Sequence, residues 1–194
     1  NGLGKVNKKL TSVEKATSTI LNNIPVLSSY EEIVLNSLGK TLAKPVTALL
    51  SNPPSDVSSM DGYALKNSDI DNGVLEFTVI DESVAGKSSS KTVATMQTVR
   101  IFTGAKIPHG ADRVILQEDI KRLGNNLIKI NKNKLENNNF FIRKTGMDFK
   151  LGEKLIDKGE VLNTRNISLC VASGNSWVTI RRKPKIGIIS TGNE

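Results

Sequence analysis

Two short segments carry the side chains best suited to chemistry. Residues 56–64 read Asp-Val-Ser-Ser-Met-Asp-Gly-Tyr-Ala and follow a Pro-Pro pair, so a stiff, extended approach leads into a turn rich in Ser, Asp and Gly. The Asp61-Gly62 pair predicts a turn that holds a carboxylate beside a flexible residue. Residues 100–105 predict a strand that ends in a second turn of small residues, which includes the hydroxyl of Thr103. Each segment alone is typical of an ordinary hairpin turn, and neither names a reaction.

The composition limits the class of protein. A chain of 194 residues fits one or two domains and can bury a real core. It contains no run of about 18 apolar residues, so we expect no membrane span, and residues 1–10 lack the apolar centre of a secretory signal. The single cysteine, Cys170, permits no internal disulfide and no zinc cluster, which suits the reducing cytoplasm. Its apolar neighbours favour a small core residue over a nucleophile.

The net charge of +8 raises the question of a nucleic-acid partner. The 27 basic and 19 acidic residues are spread along the chain, with thirteen basic against eleven acidic in residues 51–146. There is no basic stripe interleaved with aromatic side chains of the kind that stack on bases. The charge therefore predicts a weakly attractive field for an anionic ligand and argues against nucleic-acid binding.

Both ends of the chain contain helical signals. Residues 11–14 have the form of a capping box, and apolar residues at helical spacing predict an amphipathic helix over 12–23. Residues 31–42 fit either a helix or a short strand followed by a helical turn. Thr164 is a suitable cap for a second helix, which ends at Gly174. Because each apolar face is narrow, we expect the helix at 12–23 to pack against the helix near 165–173.

The middle of the chain reads as strands and turns. Short apolar segments separated by turn signals predict a compact β domain, with strands at 74–80, 99–102, 114–117, 127–130 and 140–142. After a further strand at 177–180 and a basic linker, the apolar run 186–189 leads into Ser-Thr-Gly at 190–192. That pattern is typical of the first strand of a parallel α/β domain and its phosphate-binding turn.

These elements predict an elongated α+β fragment of two domains. Residues 11–50 and 147–183 are expected to form one small, discontinuous helical domain built from both chain ends. Residues 51–146 are expected to form an inserted β-rich domain. Residues 184–194 are expected to be the first strand and turn of an α/β domain that is missing here.

The ordered series of motifs resembles the molybdopterin molybdenumtransferase (MoeA) family, which includes the gephyrin E domain. Ser58 to Ala64 reads S-S-M-D-G-Y-A, close to the family's S-A-M-D-G-Y-A. The resemblance covers nearly all of residues 11–194, although Phe141 and Met147 stand where the family has polar residues. The other matching segments are 12–16, 38–43, Ala85-Gly86, 100–105, 108–112, Gln117-Glu118, Ile142-Arg143, Gly146, Asp148, 181–184 and 190–194.

The resemblance implies an enzyme of molybdenum cofactor biosynthesis. Such an enzyme inserts molybdate into the dithiolene of adenylated molybdopterin and releases AMP. Mg²⁺ is the cofactor that the family implies, and the sequence leaves its ligands unknown. The family's motifs assign catalytic roles to Asp61, Thr103, Asp148 and Glu194. They assign substrate binding to Arg143, Ser190, Thr191 and Gly192.

The resemblance also implies a homodimer whose site combines two subunits. We expect the 194-residue chain alone to be inactive, because only the first strand-end loop of the α/β domain is present. The alternative is a non-catalytic scaffold of the same fold that serves protein assembly. The presence of Asp61 and Thr103 favours the enzyme, since a pure scaffold needs neither residue.

Overall fold

The computed structural model describes residues 11–135 and 139–190. This part of the chain is mostly β-structure with few helices. Its α-helices are α1 Val13–Asn23, α2 Asn67–Asp71 and α3 Thr164–Ala172. Its strands are β1 Ser29–Ile33, β2 Val46–Thr47, β3 Val57–Ser58, β4 Gly62–Leu65, β5 Glu76–Ser83, β6 Gln97–Ile101, β7 Arg113–Leu116, β8 Ile120–Arg122, β9 Leu127–Ile130, β10 Ile142–Arg143, β11 Lys154–Ile156 and β12 Trp177–Arg181.

A six-stranded sheet dominates the middle of the chain. Its strand order is β7-β4-β6-β5-β9-β8, and among these neighbours only β5 and β6 run parallel. Strand β4 is buried along its whole length. Because side chains alternate along a strand, Tyr63 and Leu65 join one apolar cluster with Phe77, while Ala64 joins a second cluster with Ile101. Burial on both faces explains why β4 and β7 read as nearly continuous apolar runs.

The two chain ends share a second core. Strand β1 pairs with β12 and β2 pairs with β11, both antiparallel. Helix α3 begins with a capping box between Asn163 and Asn166 and buries Cys170 in this core. The other fully buried members are Val34, Leu42, Val46, Ile156, Leu162, Val178 and Ile180.

The expected helical domain is therefore mainly a strand assembly. In the ambiguous segment 31–42, the strand alternative is right: β1 ends at Ile33 and a single 3-10 turn follows. Residues of β1 are alternately exposed and half-buried, a period of two that suits a strand with one covered face. The division into domains at 50/51 and 146/147 stays a prediction.

Helix α1 forms where the sequence predicts, but its predicted packing against α3 is wrong. None of its eleven residues is buried, and Val13, Ile20 and Leu21 are 77%, 57% and 67% exposed. The apolar face of α3 is instead covered by the strands and the 3-10 turn of the second core. An amphipathic pattern shows that a helix has an apolar face but does not identify what covers it.

Residues 182–190 form no regular secondary structure. The strand predicted at 186–189 is not formed, and Ile186, Ile188 and Ile189 are 80%, 91% and 86% exposed. A strand requires hydrogen-bonding partners along at least one edge, and no strand of the described chain pairs with this segment. Among residues 11–135 and 139–190, no helix has the length and apolar character needed to cross a bilayer.

Candidate active site around Asp61 and Thr103

The structure brings the two predicted segments into direct contact. The backbone N–H of Ser58 donates to the carbonyl of Ala105, and the N–H of Gly104 donates to the carbonyl of Ser58, both at 2.9 Å. The buried Ser58 hydroxyl donates to the carbonyl of Met60 at 2.6 Å and accepts from its N–H at 3.3 Å. These contacts fix the turn that presents Asp61.

Asp61 and Thr103 form a single hydrogen-bonded unit. The backbone N–H and the hydroxyl of Thr103 both donate to Asp61 Oδ1, each at 2.8 Å. These two bonds, backbone first, hold the pKa of the Asp61 carboxyl below its ordinary value, and the positive charge of Arg100 adds to the effect. Within the described chain, Asp61 Oδ2 has no hydrogen-bond partner. The site therefore holds an ionised carboxylate with one oxygen fixed and one available.

Gly62 is required for a different reason from the one that the sequence suggested. It is the first residue of β4 rather than a flexible turn residue, and its φ angle is not positive. A Cβ atom at this position would lie 2.1 Å from the carbonyl oxygen of Ile115 on β7. The close approach of two backbones, next to the carboxylate, accounts for glycine here.

Arg100 is a neighbour of this unit that sequence reasoning did not assign to the site. Its guanidinium contacts the rings of Tyr63 and Phe102, with its Cζ atom 4.9 Å and 4.7 Å from their centroids. Nη1 donates to the carbonyl of Gly62 at 3.1 Å, and Nη2 donates to Oε1 of Gln117 at 2.5 Å. The strand pairing of Tyr63 with Arg100 was the necessary signal, and a sequence alone does not contain it.

A second polar cluster contains Arg143 and Asp148. Arg143 Nη2 donates to both Asp148 oxygens, at 2.6 Å and 2.8 Å, and the Asn52 side-chain amide donates to Oδ2 at 3.1 Å. The antiparallel pairing of β3 with β10 places Arg143 opposite Val57. That ladder joins this cluster to the segment that leads into the Asp61 turn. Both Asp148 oxygens are thus already committed to cationic or amide donors.

Asp56 accepts hydrogen bonds in the same way as Asp61, but its bonds join the segment before β3 to the loop at residues 144–145. Its Oδ1 accepts from the backbone N–H of Thr145 at 2.9 Å and from the hydroxyl at 3.1 Å. Its Oδ2 accepts from Lys144 Nζ at 2.8 Å. The bond from Lys144 is the main cause that lowers the pKa of Asp56, followed by the two bonds from Thr145.

The remaining predicted residues lie elsewhere or outside the described chain. Ser190 is exposed and lies in the irregular segment, while Thr191, Gly192 and Glu194 are outside the described residues. Cys170 is fully buried, and burial raises the pKa of its thiol, which confirms the prediction of a core residue.

No group of three His, Cys, Asp or Glu side chains that could hold a metal occurs in residues 11–135 and 139–190. Mg²⁺ in nucleotide enzymes is often bound through one or two carboxylates plus substrate phosphates. Asp61 fits that mode, since its Oδ2 is available. Asp148 fits it poorly, because a metal would have to compete with Arg143 for both oxygens.

The chain is similar in sequence to proteins of one family. Residues 11–174 match the family model described as the MoeA N-terminal region (domain I and II). A molybdopterin molybdenumtransferase from Nostoc sp. is 32% identical over 193 residues, covering 95% of this chain and 44% of the relative. The Staphylococcus aureus Mu50 protein of the same name is 32% identical over 186 residues, covering 94% of this chain and 44% of the relative.

Solved structures agree with the sequence comparison. A molybdopterin biosynthesis MoeA protein from Pyrococcus horikoshii superimposes with a TM-score of 0.80 at 30% identity, covering 91% of this chain and 47% of that protein. The chain spans less than half the length of the curated relatives it matches.

Proposed function

Because this chain belongs to the MoeA N-terminal family, we propose that it is the N-terminal part of a molybdopterin molybdenumtransferase. The proposed whole enzyme inserts molybdate into the dithiolene of adenylated molybdopterin and releases AMP. The observation that carries the proposal is the Asp61–Thr103 unit, in which two donors fix one carboxylate oxygen and leave the other available. Asp56 accepts the same pair of bonds from Thr145, but its second oxygen is taken by Lys144, whereas the second oxygen of Asp61 is available.

Asp61 is assigned the central charged role. Cleavage of the phosphoanhydride moves negative charge onto the released phosphate, and enzymes neutralise such charge with a divalent metal and fixed donors. Asp61 Oδ2 would supply one carboxylate ligand to Mg²⁺, and the substrate's own phosphates would supply others. Thr103 holds the carboxylate in place and, by lowering its pKa, keeps it ionised.

Arg143 is assigned to substrate binding and Asp148 to its support. An arginine presents five N–H donors in a planar fork suited to phosphate. Asp148 engages only Nη2 of Arg143 within the described chain, so the other donors are available to an anionic substrate group. On this proposal Asp148 acts by orienting Arg143 rather than by binding the metal.

The rest of the site belongs to the proposed whole enzyme. Ser190, Thr191 and Gly192 are proposed to hold phosphate, with Glu194 as a further acid, and the site is proposed to combine two subunits of a homodimer. The 194-residue chain is expected to show no transferase activity by itself.

The decisive experiment measures molybdate-dependent release of AMP from adenylated molybdopterin by the full-length protein. Asp61→Asn keeps the shape of the side chain but removes its charge. We expect the rate to fall by about a hundredfold or more, as when a fixed group that stabilises transition-state charge is lost. Asp56→Asn is the matched control, because Asp56 accepts the same pair of bonds from a threonine but ties loops together.

Circular dichroism should show that both variants are folded. Equal rates for Asp61→Asn and the unmodified enzyme would overturn the catalytic assignment. The scaffold alternative would then stand, and the exposed apolar residues of helix α1 are the surface that would serve it.

A further inference from the structure

The start of strand β4, directly after Asp61, is held from both neighbouring strands. On the side of β7, the backbone N–H of Gln117 donates to the carbonyl of Asp61 at 3.2 Å. On the side of β6, Nη1 of Arg100 donates to the carbonyl of Gly62 at 3.1 Å. The carbonyl of Asp61 and the next carbonyl along the chain are therefore both fixed.

A side-chain bridge joins these two contacts across β4. Nη2 of Arg100 donates to Oε1 of Gln117 at 2.5 Å, and β4 lies between β6, which carries Arg100, and β7, which ends just before Gln117. One residue, Gln117, thus supplies a backbone donor to Asp61 and a side-chain acceptor to Arg100. The guanidinium also contacts the rings of Tyr63 and Phe102, so two acceptors and two rings hold it in place.

Arg100 brings a positive charge to the Asp61 turn. Among the described residues, it is the one charged group that contributes to the lowered pKa of Asp61. The adjoining elements also carry carboxylates, but none lies within ion-pairing distance of Arg100 in the described chain. These carboxylates are Glu82 on β5 and Glu118 and Asp119 on the 3-10 turn after β7.

The side chain of Gln117 suits this bridge because it is neutral. Its Oε1 accepts a hydrogen bond from Arg100 without forming an ion pair, so the charge of Arg100 remains available to act on Asp61. Gln117 is exposed, and substitutions of exposed side chains usually change folding stability little. The bridge therefore matters more for the position of the Arg100 charge than for the stability of the fold.

We propose that Gln117 is a positioning residue for Asp61, whose side chain holds Arg100 against the Gly62 carbonyl at the start of β4. This inference rests on the proposed function, in which Asp61 carries the central charged role. Hydrogen-bonded groups behind a metal-ligating carboxylate orient it, and their loss typically lowers activity by about 10–100-fold. Gln117 occupies such a place, because it contacts Arg100 and the Asp61 backbone but not the carboxylate itself.

Gln117→Met tests the bridge, because methionine keeps the backbone N–H and the length of the side chain but has only a weak acceptor. In the 194-residue chain, ¹⁵N relaxation of the Arg100 Nε–H group should show a more mobile guanidinium. Carboxyl ¹³C titration should show a raised pKa of Asp61, because a mobile cation stabilises the ionised carboxylate less. The thermal midpoint should change by no more than about 2 °C, since Gln117 is exposed.

Gln97→Met is the matched control. Gln97 lies on the same strand as Arg100, but its Oε1 accepts from the backbone N–H of Ala94, so the control should leave the pKa of Asp61 and the mobility of Arg100 unchanged.

A double-mutant cycle with Arg100→Gln decides whether Gln117 acts through Arg100. If it does, Gln117→Met raises the pKa of Asp61 in the unmodified chain but not in the Arg100→Gln chain. An equal rise in both chains would overturn the proposal. So would an Arg100 guanidinium that is as ordered in Gln117→Met as in the unmodified chain, a result that needs no second substitution.

The full-length protein supplies the comparison with activity. In molybdate-dependent release of AMP, Gln117→Met should lower kcat by about tenfold and leave KM unchanged, because the residue acts through another and only on the catalytic carboxylate. A fully active Asp61→Asn variant would overturn the proposed function and this role together. An inactive Asp61→Asn variant beside a fully active Gln117→Met variant would overturn only the positioning role.

Discussion

Replacement of Gly62 by alanine should destabilise strand β4, which begins directly after Asp61. The added Cβ would lie 2.1 Å from the carbonyl oxygen of Ile115 and 2.9 Å from its carbonyl carbon. Both contacts are with backbone, so no side chain can rotate away. Strand β4 is also held on its other side by β6, which leaves β4 little freedom to move.

The size of the effect follows from that geometry. A Cβ atom and a carbonyl oxygen normally stay more than 3.0 Å apart, so strands β4 and β7 would have to separate by about 1 Å. Overpacking in a well-packed core typically costs about 1–3 kcal/mol. A backbone clash between two paired strands belongs at the upper end, so we expect a loss of about 3 kcal/mol. For a chain of this size that corresponds to a fall of about 6–12 °C in the thermal midpoint.

Thermal unfolding followed by circular dichroism measures this directly. Gly124→Ala is the matched control, because no atom lies within 4 Å of its added Cβ and its φ angle is not positive. It should shift the midpoint by no more than about 2 °C, as expected for a surface substitution. A Gly62→Ala midpoint equal to that of the control would refute the close-approach argument.

Three further changes test the carboxylates and the core. Thr103→Val removes one of the two donors to Asp61 and should raise the pKa of Asp61, which carboxyl ¹³C titration measures. Thr145→Val is the control and should leave the pKa of Asp61 unchanged. An equal pKa of Asp61 in the two variants would contradict the role of the Thr103 hydroxyl. Because the folded pKa of Asp56 is lowered, its stabilising contribution is present above the unfolded value of about 3.9 and is lost as pH falls through the folded value. The stability advantage of the unmodified protein over Asp56→Asn should therefore decrease in acid, and an advantage that stays constant as the pH falls below about 3.9 would count against this reasoning. Cys170, being buried with a raised pKa, should react with a thiol reagent only as the protein unfolds, and rapid reaction of the folded protein would show that the core is open.

Local patterns predicted the separate elements well. The capping signal and the apolar spacing placed helix α1 within one residue of its observed start, and strand β9 lies where its alternating residues predicted. Such patterns are sufficient because they depend on residues close together in the chain. Strand β4 was missed, since glycine beside aspartate is more typical of a turn than of a buried central strand.

The sequence alone identified the family and proposed Asp61 and Thr103 as site residues, because the order of motifs along the chain can be read without a structure. The tertiary structure alone decided that Thr103 gives both its donors to one oxygen of Asp61, and that Arg143 already engages Asp148. It also placed Arg100 in contact with the rings of Tyr63 and Phe102, close enough to Asp61 for its charge to act on that carboxylate. The Asp61–Thr103 contact joins residues 42 positions apart, and the pairing of β4 with β6 sets Tyr63 opposite Arg100, far from it in the chain. A strand register depends on which segments meet across the sheet, and local sequence patterns do not specify that.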